Sequence, residues 1–267
     1  IFISIDRSTD GTEDFLVNWA VREPRLTILP LGERFGGAGP NFYRLLSVVD
    51  VGLYDYISLA DQDDVWHPFK LSRACSALLE NAASGYSSNF TAFWPSGRTK
   101  YVNKANPQRA FDFLFEAAGP GCTYVMSPEL ASAIQGLIKN AGERLRHVEY
   151  HDWLFYAFAR ANGFVWIIDD WSSMRYRQHG NNQVGVNSGW RAFKHRVEKV
   201  LGGHGLEQAR LIAELIQMDS IPIVRYGLDR GRLGYAWLAF HAHQCRRRGI
   251  DRVWFFIACI LLSIKPG

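Results

Sequence analysis

The chain has 267 residues, of which 48% are hydrophobic and 21% charged, a composition that is typical of a globular protein and excludes a largely disordered one. The formal net charge is only +4, so the overall charge gives no indication of a nucleic-acid partner. The four cysteines show no Cys-x-x-Cys spacing, which predicts reduced thiols in a cytoplasmic protein and argues against a zinc site.

Strand-like and helix-like patterns alternate from the first residue to residue 81. The extended patterns cover residues 1–5, 26–29 and 56–60, and the helical patterns cover residues 12–20, 40–49 and 68–81. This alternation predicts an α/β protein with a doubly wound, mostly parallel sheet. Because such sheets bind ligands beyond the carboxyl ends of their strands, the residues that follow 56–60 are the first candidates for a functional site.

Three carboxylates lie within four residues directly after this strand: Asp61, Asp63 and Asp64. Carboxylates this close repel one another, which raises their pKa values, so a fold keeps them together mainly where a cation binds among them. The cluster Asp61 to Asp64 therefore predicts a divalent-metal site. The alternative is a carboxylate turn that only caps the helix beginning near Pro68.

The middle of the chain gives weaker signals. Residues 86–109 mix polar and aromatic side chains without clear periodicity, which predicts irregular structure or an edge strand. A turn at residues 118–123 precedes a short strand at 124–126. Ser127 followed by Pro128 then predicts a capped helix.

The pattern becomes clear again at residue 151. Residues 151–161 are amphipathic and predict a helix, residues 165–168 predict a strand, and the polar run at 175–182 predicts no regular structure. From Trp190 onward the chain becomes basic and helical. We therefore predict two domains, an α/β domain at 1–188 and a helical, basic and apolar appendage at 189–267.

Residues 253–262 form an apolar run that is shorter than the ~20 residues of a spanning helix. Arg246, Arg247, Arg248 and Arg252 lie beside it. Two interpretations stay open. The run is either a helix that packs on the main domain or a segment that lies on the anionic surface of a membrane.

Five blocks of the sequence occur in a familiar order within roughly the first 185 residues. They read DRSTDGT from Asp6, ADQDDVW from Ala60, GPGCT from Gly119, HDW from His151 and YRQHGNN from Tyr176. Together they resemble the family 2 glycosyltransferases with the GT-A fold, in particular the bacterial rhamnosyltransferase-like branch. The resemblance implies a GT-A-type, Rossmann-like α/β fold, that is, a doubly wound mixed sheet with a C-terminal helical appendage.

The resemblance also bears on where the domain begins. It matches the first strand of this chain to the second strand of the family, so we expect residues 1–188 to be an N-terminally truncated catalytic domain.

The activity that the resemblance implies is an inverting, metal-dependent transfer of a sugar, with rhamnose expected, from a nucleoside-diphosphate donor. The acceptor would be a growing bacterial cell-surface polysaccharide or a lipid-linked glycan. A cytoplasmic location follows, with peripheral contact to the inner face of the cytoplasmic membrane left open. Two alternatives remain: a degenerate nucleotide-sugar-binding module without turnover, and a metal-dependent phosphohydrolase. No nucleic-acid partner is expected.

The family blocks assign the donor side of the site as follows. Mg²⁺ or Mn²⁺ would be held by Asp63, Asp61 and His179. The nucleotide-sugar donor would be bound by Asp6, Asp61 and Arg177. These roles come from the resemblance, and each residue has a simpler structural alternative such as the end of a strand or an ordinary surface position.

The acceptor side of the site follows from the third and fourth blocks. Asp152 would be the catalytic base that removes the proton of the acceptor hydroxyl. The alternative is that Asp152 only caps the helix that begins at Trp153. Gly121, Cys122, Thr123 and Trp153 would border the acceptor, and Cys122 is not expected to act as a nucleophile.

Overall fold

The computed structural model describes residues 1–32, 34–178 and 202–265. His179 and the predicted domain boundary between residues 188 and 189 lie outside the described residues. Within the described ranges the chain forms two sheets and nine α-helices, so the predicted α/β class is confirmed.

A short parallel pair of strands opens the chain. Strand β1 (Phe2–Ile3) pairs with β2 (Thr27–Ile28), and helix α1 (Thr12–Arg22) connects them. Helix α2 (Ala38–Val48) follows. This strand-helix-strand unit places Asp6 just beyond the carboxyl end of β1, as the sequence predicts.

The main sheet has six strands with one long parallel pair at its centre, β5 (Gly85–Phe93) and β8 (Trp166–Arg177). The remaining pairings are antiparallel: β7 (Val125–Met126) with β3 (Ile57–Ser58) and β5, β4 (Val65–Trp66) with β8, and β6 (Thr99–Val102) with β5. The sheet is therefore mixed, as the resemblance implied. The mostly parallel sheet predicted from the alternation is wrong, because strands of two residues leave no pattern in a sequence.

Strand β5 corrects a second prediction. Residues 86–93 belong to the central strand of the sheet, so the prediction of irregular or edge structure is confirmed only for the rest of the range, where β6 is an edge strand and residues 103–109 form no helix or strand. Ser88 and Asn89 of β5 are fully buried, and both find partners on β8. Ser88 Oγ donates to Ser173 Oγ at 2.6 Å, and Asn89 Nδ2 donates to Asp170 O at 2.8 Å. Buried polar groups are tolerated when they are hydrogen-bonded, so a polar strand can occupy the centre of the sheet.

Gly85 begins this strand beneath the indole ring of Trp166. A Cβ atom on Gly85 would overlap that ring, which Tyr124 and Tyr156 hold with ring centroids at 4.7 and 5.4 Å. We expect Gly85→Ala to lower the free energy of unfolding by about 2 to 3 kcal/mol, because the overpacked ring must leave its position. Urea denaturation followed by circular dichroism measures the change.

A second glycine provides the matched control. Gly136 lies in helix α4 (Pro128–Ala141), where an added Cβ meets no atom within 4 Å. Gly136→Ala should raise the free energy of unfolding by about 0.5 to 1 kcal/mol, since glycine loses more backbone entropy than alanine in a helix. Equal shifts of the two urea midpoints would contradict the packing of Trp166 on Gly85.

The helices predicted at 68–81 and 151–161 are present, and the predicted cap of α4 is confirmed, since Ser127 Oγ accepts the N–H of Leu130 at 3.3 Å. A π-helical turn, Ile223–Leu228, belongs to the C-terminal part. The helices other than α1, α2 and α4 are α3 (Lys70–Glu80), α5 (His151–Ala161), α6 (His204–Leu215), α7 (Gly231–Phe240), α8 (Ala242–Cys245) and α9 (Gly249–Ile264).

The C-terminal helices share their hydrophobic core with the sheet. Ile212 of α6, Leu238 of α7 and Cys259 of α9 belong to the same buried cluster as Trp166 of β8. In the described part of the chain the core therefore continues past residue 188. The division into domains at 188 and 189 stays a prediction.

Candidate active site

The carboxylates Asp61, Asp63 and Asp64 lie in the turn that joins β3 to β4. Strand β4 pairs antiparallel with the far end of β8, where Val65 is opposite Arg175, and this register brings the turn beside Arg177. The N–H of Arg177 donates to Asp64 Oδ1 at 2.9 Å, and Arg177 Nε donates to the carbonyl oxygen of Asp63 at 2.8 Å. The sheet thus brings a cation that the resemblance assigned to the donor directly to the carboxylate cluster.

The turn Gly121–Thr123 approaches the same cluster from the other side. Carboxylate oxygens of Asp61 and Asp64 and the Cys122 sulfur all lie within 4.8 Å of one another. Burial and the nearby Asp61 raise the pKa of Cys122 well above its ordinary value. The thiol therefore stays protonated, which excludes a thiolate ligand or nucleophile at this position.

The pKa values of two of the clustered carboxylates, Asp61 and Asp64, are raised. Burial raises the pKa of Asp61, and burial together with the charges of Asp61 and Asp63 raises the pKa of Asp64 to about 6. Asp64 Oδ2 is buried and has no hydrogen-bond partner among the described residues. Hard oxygen ligands with an unused lone pair fit Mg²⁺ or Mn²⁺, which would remove both the repulsion and the unpaired oxygen.

Lys70 is a residue of this site that the sequence analysis missed. It is fully buried at the start of α3, where Lys70 Nζ donates to Cys122 O at 2.7 Å and lies 3.2 Å from the centre of the Trp66 ring. Burial lowers the pKa of Lys70 to about 7, although Asp64 and Asp61 oppose this shift. The helical spacing of the sequence does indicate that Lys70 is buried. Lys70 occupies the same helix face as the buried residues Ala74 and Leu78, four and eight residues later, where an apolar side chain is expected.

Asp152 lies in the first turn of α5 and is not its cap. The helix begins at His151, two residues before the predicted start at Trp153, and its N-cap residue is Tyr150. Asp152 Oδ1 accepts the N–H of Trp153 at 2.8 Å. Burial, aided by the charge of Asp61, raises the pKa of Asp152 to about 6, against the opposing N–H of Trp153 and charge of Lys104.

The start of α5 fits closely against the turn at Gly121. A Cβ on Gly121 would overlap the ring of His151, so only glycine allows this approach. Because His151 precedes Asp152, the contact fixes the position of the Asp152 carboxylate relative to Cys122 and the Asp cluster. Thr123 Oγ1 completes the turn by donating to Pro120 O at 2.8 Å.

Two residues that were predicted to contact ligands, Trp153 and Asp6, instead form hydrogen bonds within the protein. Trp153 is 8% exposed, and its Nε1 donates to Phe113 O at 2.9 Å, so most of the ring belongs to the core. The carboxylate of Asp6 accepts the N–H groups of Phe35 and Gly36, both at 2.8 Å. Burial opposes these hydrogen bonds, yet they hold the pKa of Asp6 below its usual value. Asp6 therefore anchors the glycine-containing loop before α2.

This chain is similar to known proteins in sequence and, separately, in structure. Residues 1–128 match the family model of glycosyl transferase family 2. The dTDP-rhamnosyl transferase RfbG of Shigella flexneri is 41% identical to this chain over 262 residues, which make up 98% of this chain and 90% of that protein.

The second likeness is structural. A structure of S. aureus TarS 1–349 in complex with UDP-GlcNAc has a TM-score of 0.51 and 12% sequence identity, and the match covers 97% of this chain and 78% of the TarS chain. At this identity the similarity to TarS extends to the fold alone.

Proposed function

Because this chain belongs to glycosyl transferase family 2 and is a glycosyltransferase of the GT-A fold, we propose that it transfers rhamnose from dTDP-rhamnose with inversion at the anomeric carbon. Movement of a sugar from a nucleotide donor to a glycan acceptor is the activity of the family. The acceptor that we propose is a bacterial cell-surface polysaccharide or a lipid-linked glycan. The choice of donor rests on the 41% identical dTDP-rhamnosyl transferase.

The observation that carries this proposal is the meeting of Asp152 with the Asp61 to Asp64 cluster. The turn Gly121–Thr123 lies against both groups, because Gly121 packs on His151 beside Asp152 and the Cys122 sulfur lies within 4.8 Å of carboxylate oxygens of Asp61 and Asp64. A carboxylate with a pKa of about 6 is ionised at neutral pH and still basic enough to accept a proton in the transition state. Asp152 would deprotonate the acceptor hydroxyl as its oxygen bonds to the anomeric carbon. A single displacement of this kind inverts the anomeric configuration.

The opposite side of the reacting carbon carries the leaving diphosphate, where negative charge develops. We assign its stabilisation to Arg177 and to a divalent cation held by Asp63 and Asp61, with Asp64 in support. A bound Mg²⁺ or Mn²⁺ would supply positive charge to the phosphate oxygens. His179, which the resemblance adds to this set, lies outside the described residues. The unpaired Oδ2 of Asp64 supports a cation at this position.

Thermal stabilisation by sugar nucleotides tests the donor. We expect dTDP-rhamnose with Mn²⁺ to raise the melting temperature more than UDP-glucose or GDP-mannose does, since only a bound donor stabilises the native state. Nuclear magnetic resonance of the product, formed on a synthetic lipid-linked oligosaccharide, then reports the anomeric configuration. Equal stabilisation by all donors, or retained configuration, would refute the corresponding part of the proposal.

The pH dependence of kcat tests Asp152 as the base. The active form is the carboxylate, so kcat should rise with pH and reach a plateau above the pKa of about 6. With one ionisation, kcat at pH 5 should be about ten-fold lower than at pH 7. Steady-state rates at saturating donor and acceptor measure this profile. A kcat that falls between pH 5 and 7 would exclude Asp152 as the base.

Lys70 gives a test of the cation site that does not depend on turnover. Its ammonium group lies among Asp61, Asp64 and Cys122, so it competes electrostatically with any added cation. Lys70→Met should therefore gain more thermal stabilisation from Mn²⁺ than the unmodified protein does. The control is Lys139→Met, on the exposed side of α4. Identical Mn²⁺ shifts in both variants would mean that no cation binds beside Lys70.

A further inference from the structure

Helix α9 carries an unbroken apolar stripe on its outer side. At 100° per residue its members fall on one face about 100° wide. They are between 39% and 64% exposed: Ile250, Val253, Trp254, Ile257, Leu261 and Ile264. A helix that only packs on a globular domain has polar residues on its outer face, so the fold itself does not account for this stripe.

The inner face of α9 already makes the contacts that attach the helix to the protein. Phe255 packs edge-on against Phe115 with ring centroids 5.1 Å apart. Cys259 and Leu262 are buried in the main core. The stripe therefore lies on the side that faces away from the core.

Positive charge lies at both ends of the stripe. Besides the buried Arg247, which pairs with Asp112, the sequence between residues 225 and 265 has seven Lys and Arg residues and two Asp residues, whereas the net charge of the whole chain is only +4. Arg248 is exposed just before Ile250. At the other end Arg232 Nε donates to Ser263 O at 2.8 Å, which holds its guanidinium group beside Ile264. An apolar surface with basic ends favours a partner that is both apolar and anionic.

We propose that the stripe of α9 docks onto a membrane leaflet that contains anionic lipids. The helix has 16 residues, about 24 Å, and is shorter than the ~30 Å hydrocarbon core of a bilayer. No helix in the described ranges is long and apolar enough to cross a membrane. Helix α9 therefore lies in the plane of the interface, with the stripe among the acyl chains and Arg232 and Arg248 at the headgroups.

The charges disfavour a second copy of the chain as the occupant. In an antiparallel pairing of two α9 helices, Arg248 of one copy would face Arg232 of the other. In a parallel pairing, Arg248 would face Arg248. Both arrangements place like charges at the edges of the apolar contact, which opposes association.

Two hydrogen bonds connect the segment before α9 to the chain that leads into the candidate active site. Arg246 Nη1 donates to Phe115 O and Arg247 Nη2 donates to Ala117 O, both at 2.6 Å. These carbonyl groups lie shortly before the acceptor-side turn at Gly121. Delivery of a lipid-linked acceptor to that turn rests on the proposed function. The docking surface itself does not, and vesicle binding measures it without any turnover.

Co-sedimentation of the full chain with vesicles tests the proposal. We expect binding to mixed phosphatidylcholine and phosphatidylglycerol vesicles that is roughly ten-fold or more stronger than binding to phosphatidylcholine alone, and that weakens with salt. A variant with Val253→Ser, Ile257→Ser and Leu261→Ser should lose binding to both. A variant with Arg232→Glu and Arg248→Glu should lose only the preference for the anionic vesicles.

The control replaces three apolar residues elsewhere that are more exposed than those of the stripe: Val21→Ser, Leu53→Ser and Leu79→Ser. This control should bind vesicles like the unmodified protein. Brominated lipids should quench tryptophan fluorescence less in Trp254→Phe than in the unmodified protein. Unchanged vesicle binding in the α9 serine variant would overturn the proposal. So would a concentration-dependent dimer that this variant abolishes in the absence of vesicle binding, since the stripe would then be a contact between copies.

Discussion

Asp152→Asn should lower kcat by about a hundred- to ten-thousand-fold, the range that a positioned general base contributes. Asparagine has the shape of aspartate and keeps an oxygen for the N–H of Trp153, which Asp152 Oδ1 accepts at 2.8 Å. It cannot take the proton of an acceptor hydroxyl. Steady-state turnover at saturating donor and acceptor, above pH 7, measures the loss.

Stability distinguishes this role from a structural one. The pKa of Asp152 is raised to about 6 in the folded protein, whereas an aspartate in an unfolded chain titrates near 4. A raised carboxyl pKa means that the protonated form favours folding, and this contribution is lost as the pH rises through about 6. Above that pH the ionised Asp152 destabilises the fold. The neutral Asn variant should therefore be at least as stable as the unmodified protein.

Two controls complete the experiment. Calorimetry should show that Asp152→Asn binds dTDP-rhamnose with little change in affinity, because the base acts on the acceptor and not on the donor. Asp219→Asn, which alters an exposed carboxylate far along the sequence, should change neither turnover nor stability. Near-normal turnover in Asp152→Asn would remove Asp152 from the role of base.

The parts of the fold that could be predicted from sequence are those that a local pattern specifies. Helices α2, α4 and α5 repeat apolar residues with helical spacing, and Ser127 marks the start of α4 with both a cap and a following proline. The direction of the strands could not be predicted, because β3, β4 and β7 have two residues each. Their orientation is set by pairing with distant strands.

The burial of the polar central strand could not be predicted from local sequence either. Ser88 is stable in the core because Ser173 pairs with it, and 85 residues separate the two in sequence. Without knowledge of that partner, a polar residue predicts exposure. The long-range register also explains why no local pattern predicts the contact between Arg177 and Asp64, whereas the family resemblance assigns Arg177 to the donor side of the site.

In the candidate site, residue types could be predicted but their hydrogen-bond partners could not. The cluster at Asp61, Asp63 and Asp64 is apparent in one short stretch of sequence. The counter-charge from Lys70 was missed, because a lysine near the start of a helix usually lies in solvent. The contact between Lys70 and Cys122 depends on how α3 packs against the turn, which only the folded chain specifies.

The buried ion network behind the site should give the largest loss of stability. Asp112 is fully buried and accepts hydrogen bonds from Arg247 Nη1 at 2.9 Å, Tyr156 Oη at 2.8 Å and Arg160 Nη1 at 3.2 Å. Arg247 comes from the segment before α9 and is only 3% exposed. The network thus joins the C-terminal helices to the α/β part by a buried charge pair.

Arg247→Met should lower the free energy of unfolding by about 3 to 5 kcal/mol, because Asp112 keeps its charge in the core without its main counter-charge. Arg248→Met, the exposed neighbour, should change it by less than about 0.5 kcal/mol. Adding Asp112→Asn to Arg247→Met should restore part of the loss, since the unpaired charge is then removed. Urea denaturation followed by fluorescence and circular dichroism gives all three values.

The shape of that transition tests the organisation of the chain. Helices α6, α7 and α9 share the buried cluster of Trp166, so they should unfold together with the sheet. Arg247→Met should therefore shift one cooperative transition to lower urea and leave its slope unchanged. A separate early transition would mean that the helices after residue 202 fold as an independent unit, as the predicted boundary at 188 and 189 requires. The continuous core leads us to expect a single transition.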